Sequence, residues 1–172
     1  MDGRPFRAFL IAALVFGLLA LIPLWRPVLL GHAFVPAGMQ RGIAPWSEGE
    51  GPPGVAWDVL RWDSIAQFYP WREYLFRNLR EGHVPLWNRH ELLGTPFLGN
   101  SQSAVFYPLH WLVAPMGPVR GMSTSALLHL LWAGLGAYVL CRRLGCGFWA
   151  ALVAGGTFEL SQWMIAWLQL QS

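Results

Sequence analysis

Residues Gly121–Cys141 read GMSTSALLHLLWAGLGAYVLC, 21 positions without a charge, bounded by Arg120 on one side and by Arg142 and Arg143 on the other. At a rise of about 1.5 Å per residue such a helix crosses the roughly 30 Å hydrocarbon core of a bilayer, and a helix packed in water would carry charge on one face. Towards the amino terminus, Ala8–Trp25 (AFLIAALVFGLLALIPLW) is a second uncharged run of 18 residues, preceded by Arg4 and Arg7 and closed by Arg26. A signal peptide is the competing reading of this run, with Arg4 and Arg7 as its basic flank. The apolar stretch exceeds the usual signal core, however, and lacks a convincing small-x-small cleavage site. Towards the carboxyl terminus, Leu144–Ser172 carries a single charge, Glu159, and its Ala150, Ala151, Ala154, Gly155 and Gly156 suit close helix packing in lipid.

The composition agrees with a membrane reading. Of 172 residues, 55% are hydrophobic and 12% charged, with eleven tryptophans, a balance that excludes a disordered chain and argues against an ordinary soluble enzyme. The net charge of +3 comes from dispersed residues with no basic block, so nucleic-acid binding is not expected. All twelve cations are arginine, which reads more as coding bias than as a phosphate-recognition device. Cys141 and Cys146 are too few for a disulfide framework and lack the spacing of a zinc site.

The expected fold class is therefore all-α: a polytopic membrane protein with three transmembrane helices and one long outer loop. The spans are 1–25, 121–141 and 147–172, with a cytoplasmic turn at 142–146. Arginines beside spans favour the cytoplasm, so Arg4, Arg7, Arg142 and Arg143 put the amino terminus inside and residues 26–120 outside; the eight arginines of that long translocated loop do not oppose the assignment.

A loop this long is expected to carry structure or a site. Its first part is rich in Gly49, Gly51, Pro52, Pro53 and Gly54 and reads as an irregular strap. In the second part Ser64 and Gln67 have capping-box spacing, Phe68, Trp71, Leu75 and Leu79 recur at helical intervals, and Gly82 offers a C-cap, so a helix is expected over 64–81. Pro70 kinks or divides it. Its other face holds Arg72, Glu73, Arg77, Arg80 and Glu81, the pattern of an amphipathic juxtamembrane helix lying on the membrane surface.

Asp58 and Asp63 stand just before this helix among Trp57, Trp62 and Trp71. A carboxylate there can serve as a general base or metal ligand, since an aromatic wall that excludes water raises its proton affinity. Asp63 also has the simpler reading of an anion favoured at a helix start. Glu159 is the one acid within a span, either a functional group at membrane depth or a residue reaching for the outer surface. His83, His90, His110 and His129 form no metal-spaced pair, and no phosphate loop or nucleophile elbow occurs. Trp111 and Trp132 read as interfacial anchors.

Asp63–Arg72 (DSIAQFYPWR), Gly82–Asn88 (GHVPLWN), Leu93–Pro96 (LGTP), Asn100, Gln102 and Tyr107-Pro108 together resemble the YfhO-like family of bacterial membrane proteins, which belong with the GT-C glycosyltransferases. The likeness covers about residues 57 to 172. It implies a bacterial plasma membrane enzyme that transfers a sugar from a polyprenyl-phosphate carrier to an envelope glycopolymer or lipid acceptor on the outer face. In that scheme Asp63 matches the reaction-centre acid, acting as base towards the acceptor hydroxyl, with a divalent metal ion near the lipid phosphate and Arg72 or Arg77 pairing with that phosphate. Trp87, Asn88, Gln102 and Tyr107 match the outer-loop pattern and would shape the loop or cavity wall. Family members are longer, with more spans, so the chain is expected to be an amino-terminal fragment of such an enzyme. A non-catalytic component that binds or exports a lipid-linked polymer, and an inactive truncated product, are the alternatives.

Overall fold

A helix that buries every fourth residue presents a straight stripe to its neighbours, and Ala12, Phe16, Ala20 and Leu24 form such a stripe on the first helix. The computed structural model describes residues 4–48 and 58–168. The helices are α1 (Arg4–Leu30), α2 (Val59–Asp63), α3 (Tyr69–Arg80), α4 (Pro108–Val113), α5 (Gly117–Arg143), α6 (Phe148–Glu159) and α7 (Gln162–Trp167), with a two-stranded hairpin, β1 (Trp87–Asn88) and β2 (Thr95–Pro96), between α3 and α4. Of the irregular strap expected over 26–56, residues 26–30 continue α1 and 49–56 lie outside the described residues, as does the expected end of the third span at 169–172. The chain divides into two units, residues 4–30 with 123–168 and residues 31–48 with 58–122.

In the first unit, α1 continues five residues past Trp25 and carries Pro23 and Pro27 within it. Its Leu14, Leu18 and Ile22 are more than half exposed, apolar surface of the kind a helix turns to lipid. Pro5–Leu30 and the stretch Pro108–Arg143 are each long and apolar enough to cross a membrane. The third expected span is not one rod. Helix α6 has 12 residues, about 18 Å of rise, well short of a hydrocarbon core of about 30 Å. The helix stops at Leu160, and the Ser161 hydroxyl then caps α7 by accepting from the Met164 N–H at 3.4 Å. A serine that can bond the backbone ahead of it competes with helical continuation, and the apolar run alone did not disclose this.

Small residues allow the close packing here. Phe16 of α1 meets the Tyr138 ring edge-on, centroids 6.2 Å apart, in a cluster with Ala12 and Ala151. A Cβ at Gly155 would fall 2.7 Å from the Gly134 carbonyl oxygen and 2.9 Å from Phe16 Cε1. That approach between helices needs a hydrogen in place of a methyl group.

In the second unit, the expected capping box at Ser64 does not form. The helical path begins earlier, at Val59, with the Arg61 and Trp62 N–H groups donating to the Asp58 carbonyl oxygen. Asp63 has helical dihedrals and makes no side-chain cap, and Ser64 is buried. Residues Ser64–Phe68 form one wide π turn in which the Tyr69 N–H reaches the Ser64 carbonyl. Pro70, which has no N–H to give, follows directly in the first turn of α3, so the proline is absorbed by the bulge. The expected C-cap is realised: Gly82 has φ +78° and the His83 N–H returns to the Asn78 carbonyl at 2.9 Å.

Helix α3 is not a free surface helix. Trp71, Leu75 and Phe76 are buried within the unit, and so is Arg72, expected on the polar face. Phe97, just after β2, fills the space against them, with its ring edge-on to Trp71 and Tyr74. The apolar stripe that would have faced lipid is covered by the chain's own hairpin and the segment after it.

A methyl group at Gly155 meets backbone, whereas one at Gly156 meets only the flexible end of Leu19 at 3.2 Å. Gly155→Ala is expected to lower stability in detergent by about 1–3 kcal/mol and Gly156→Ala by less than about 0.5 kcal/mol. Parallel thermal melts check the difference; equal melts would remove the packing argument.

Candidate functional site

Residues four and seven apart share one side of a helix, and Ala66, Pro70, Glu73, Tyr74 and Arg77 share one along the π turn and α3. The hairpin loop, residues 89–94, places His90 and Glu91 opposite them. Between the two lies a cleft of about 350 Å³. This loop is folded from within by the Asn88 side chain, whose Oδ1 accepts from the His90 N–H at 3.0 Å while its Nδ2 donates to Glu91 Oε2 at 3.1 Å. Glu91 Oε2 also accepts from the Trp71 indole N–H at 3.0 Å, so two neutral donors from two elements fix one carboxylate oxygen.

The other wall is charged and aromatic. Arg77 Nη2 donates to Glu73 Oε1 at 2.8 Å, and that bond raises the Arg77 pKa further above its ordinary value. The Tyr74 hydroxyl donates to the Trp87 carbonyl at 2.6 Å, and its ring meets the His90 ring edge-on with centroids 5.7 Å apart. Burial and the nearby Glu73 charge raise the Tyr69 pKa. The cleft thus offers an oriented carboxylate, a carboxylate–guanidinium pair, an amide and two aromatic side chains, in a volume that takes one small polar ring.

Of the residues expected from sequence, the cleft brings together Arg77 and Asn88. Asp63 is exposed on α2 and does not line it, and Asp58 is half-buried with its carboxylate 3.3 Å from Arg61 Nε. Gln102 accepts from Gln67 at 3.1 Å on the surface, Tyr107 stacks edge-on to His110, and Trp87 is half-exposed with its indole against Gly94. Arg72, named with Arg77 as a possible partner of the phosphate, is buried, 1% exposed, and its Nη1 donates to the Ser103 carbonyl oxygen at 2.8 Å. Burial lowers its pKa to about 10, so it remains a cation at neutral pH. Glu73, Tyr74, His90 and Glu91 were not singled out as site residues; the polar run Asn88–Glu91 directly after an apolar segment was the signal at hand.

The resemblance implies a divalent metal ion with Asp63 as its ligand. Asp63 is exposed, and among the described residues no group of three or more His, Cys, Asp or Glu comes together. Glu159 belongs to the first unit, fully buried, and neither carboxylate oxygen has a hydrogen-bond partner among the described residues. It lies so close to α5 that a Cβ on Gly134 would sit 2.7 Å from its Oε2.

Comparison of the chain with family models, curated proteins and solved structures gives no match.

Two stability predictions follow from the buried polar groups. Arg72→Ala is expected to destabilise the second unit by about 2–4 kcal/mol, through a lost charge-assisted hydrogen bond and the void left behind, while Arg77→Ala leaves the melting temperature unchanged. A role confined to phosphate binding would leave both melts unmoved. Glu159→Leu is expected to raise stability by about 1–3 kcal/mol, because a carboxyl buried without partners is replaced by an apolar group of similar size. A loss of stability would show that the carboxyl has a partner that holds it.

Proposed function

We propose that the cleft between α3 and the hairpin loop holds the sugar of a lipid-linked saccharide, and that the chain is part of a membrane glycosyltransferase of the GT-C kind. The observation that carries this reading is Glu91, fixed by Trp71 and Asn88 on one oxygen and beside Tyr74 and the Glu73–Arg77 pair in a cavity of about 350 Å³. Sugars bind by hydroxyl pairs to carboxylates and amides and by C–H faces on aromatic rings, and this is the set present. The exposed Arg77 is available to the carrier phosphate. The placement in a bacterial plasma membrane, multi-pass with the amino terminus inside and residues 26–120 outside, rests on the arginines beside the apolar runs and on the sequence resemblance. Asp63, matched by that resemblance, is the proposed base for the acceptor hydroxyl.

One observation favours the second reading, a non-catalytic component that binds a lipid-linked polymer. The matched acid, Asp63, is outside the cleft. A single set of variants separates the two. With the chain in proteoliposomes and a polyprenyl-phosphate sugar as probe, Glu91→Gln is expected to weaken saccharide binding by about tenfold, the weight of one charge-assisted hydrogen bond. Under the enzyme reading Asp63→Asn abolishes transfer and leaves binding intact; under the binding reading no variant alters transfer because none occurs. Unchanged binding in Glu91→Gln would reject the cleft as the saccharide site.

A further inference from the structure

The hairpin loop that closes the cleft turns its acid inward and its leucines outward. Glu91 is held by Trp71 and Asn88, and the Gly94 N–H closes the turn on the Glu91 carbonyl at 2.7 Å. Between them Leu92 and Leu93 have φ +48° and +66° and relative exposures of 86% and 106%. A loop that needs only to close would place Gly, Asn or Asp at left-handed positions, since a branched side chain there crowds its own carbonyl. Two successive leucines held this way and left bare combine backbone strain with uncovered apolar surface, and such strain persists where the surroundings fix it for a purpose.

We propose that Leu92 and Leu93 are a membrane-inserting tip, and that the surface they enter is an anionic lipid bilayer. Three further observations select lipid. The loop lies between two stretches long and apolar enough to cross a membrane, Pro5–Leu30 and Pro108–Arg143, so a bilayer is present at high effective concentration. The outward charge next to the leucines is cationic, from exposed Arg89, while the loop's one acid is bonded within, which suits anionic headgroups. Leu86 and Trp87 at the base of the hairpin are 61% and 51% exposed, and tryptophan favours the headgroup boundary. Insertion would hold Glu91, the residue directly before the leucines, at the depth of a lipid headgroup. The inference needs only that the chain is held in a bilayer and is independent of the saccharide reading of the cleft.

The test uses the full chain with Cys141 and Cys146 replaced by serine and a single nitroxide at Leu92→Cys or Leu93→Cys, with Glu81→Cys as a control on the same unit. In vesicles of phosphatidylethanolamine and phosphatidylglycerol, both tip labels are expected to collide with dissolved oxygen more than with a water-soluble nickel complex, the reverse of the control. Adding Leu92→Asp should return the label at position 93 to water. Tip labels as open to nickel as the control would overturn the proposal, and so would labels shielded from both probes, the result for a tip packed against protein or a second copy of the chain. Because both leucines are exposed, these substitutions leave the buried core of the unit intact, and the control label reports its folding.

Discussion

Arg72 carries a guanidinium into the interior of the second unit and ties the segment that follows the hairpin to α3. Its Nη1 bond to the Ser103 carbonyl oxygen joins residues 31 positions apart. Leaving either group buried and unmatched would cost more than the bond itself contributes, so the pair acts as a condition on folding more than as a source of stability. Around it the short turn Ser101–Ser103 is set by Asn100, whose side chain accepts from the Gln102 N–H, and by the Ser103 hydroxyl on the Asn100 carbonyl at 2.6 Å. Beyond it, His110 and Trp111 of α4 contact the Ala104 and Val105 carbonyls. With the inner face of α3 fixed in this way, its outer face can hold Glu73, Tyr74 and Arg77 at a constant distance from the hairpin.

The two units keep their shape by different means. The first relies on close contact, with Phe16 fitting where Gly134 and Gly155 lack side chains, and it leaves leucines exposed on its outer face. The second relies on directional polar bonds around a core that includes the aromatic rings of Phe68, Trp71, Phe76 and Phe97. A site that must distinguish polar ligands belongs in the second kind of structure, where side-chain orientation is set by hydrogen bonds that a ligand can extend.

The parts of the fold that sequence revealed are those governed by local or compositional rules. The long uncharged runs became α1 and α5 because absence of charge needs no knowledge of neighbours, and Gly82 ended α3 because a left-handed C-cap is a local demand. The capping box at Ser64 was misread because Val59–Asp63 already extends the helix in front of it, so the apparent start is interior. The hairpin escaped notice since strands of two residues show no alternation. Arg72 was placed outside because its partner is a main-chain carbonyl, and a carbonyl has no sequence signature. Glu91 was passed over for a related reason: the donors that orient it, from Trp71 and Asn88, converge only after the hairpin has closed.

Comparison of the carboxylates shows why access and orientation must coincide before an acid can select a ligand. Asp63 has access, but its exposed carboxylate is not oriented by a surrounding site. Asp58 shares its charge with Arg61. Glu159 is fully buried beside Gly134 and is not on the wall of the cleft. Glu91 alone in this comparison has one oxygen committed to two donors and a place on the wall of an open cavity. A carboxylate oxygen accepts more than one hydrogen bond, so the group retains capacity for a ligand hydroxyl after its direction has been fixed. That combination, and not acidity or nearness in sequence to a helix start, is what the proposed saccharide reading of the cleft rests on.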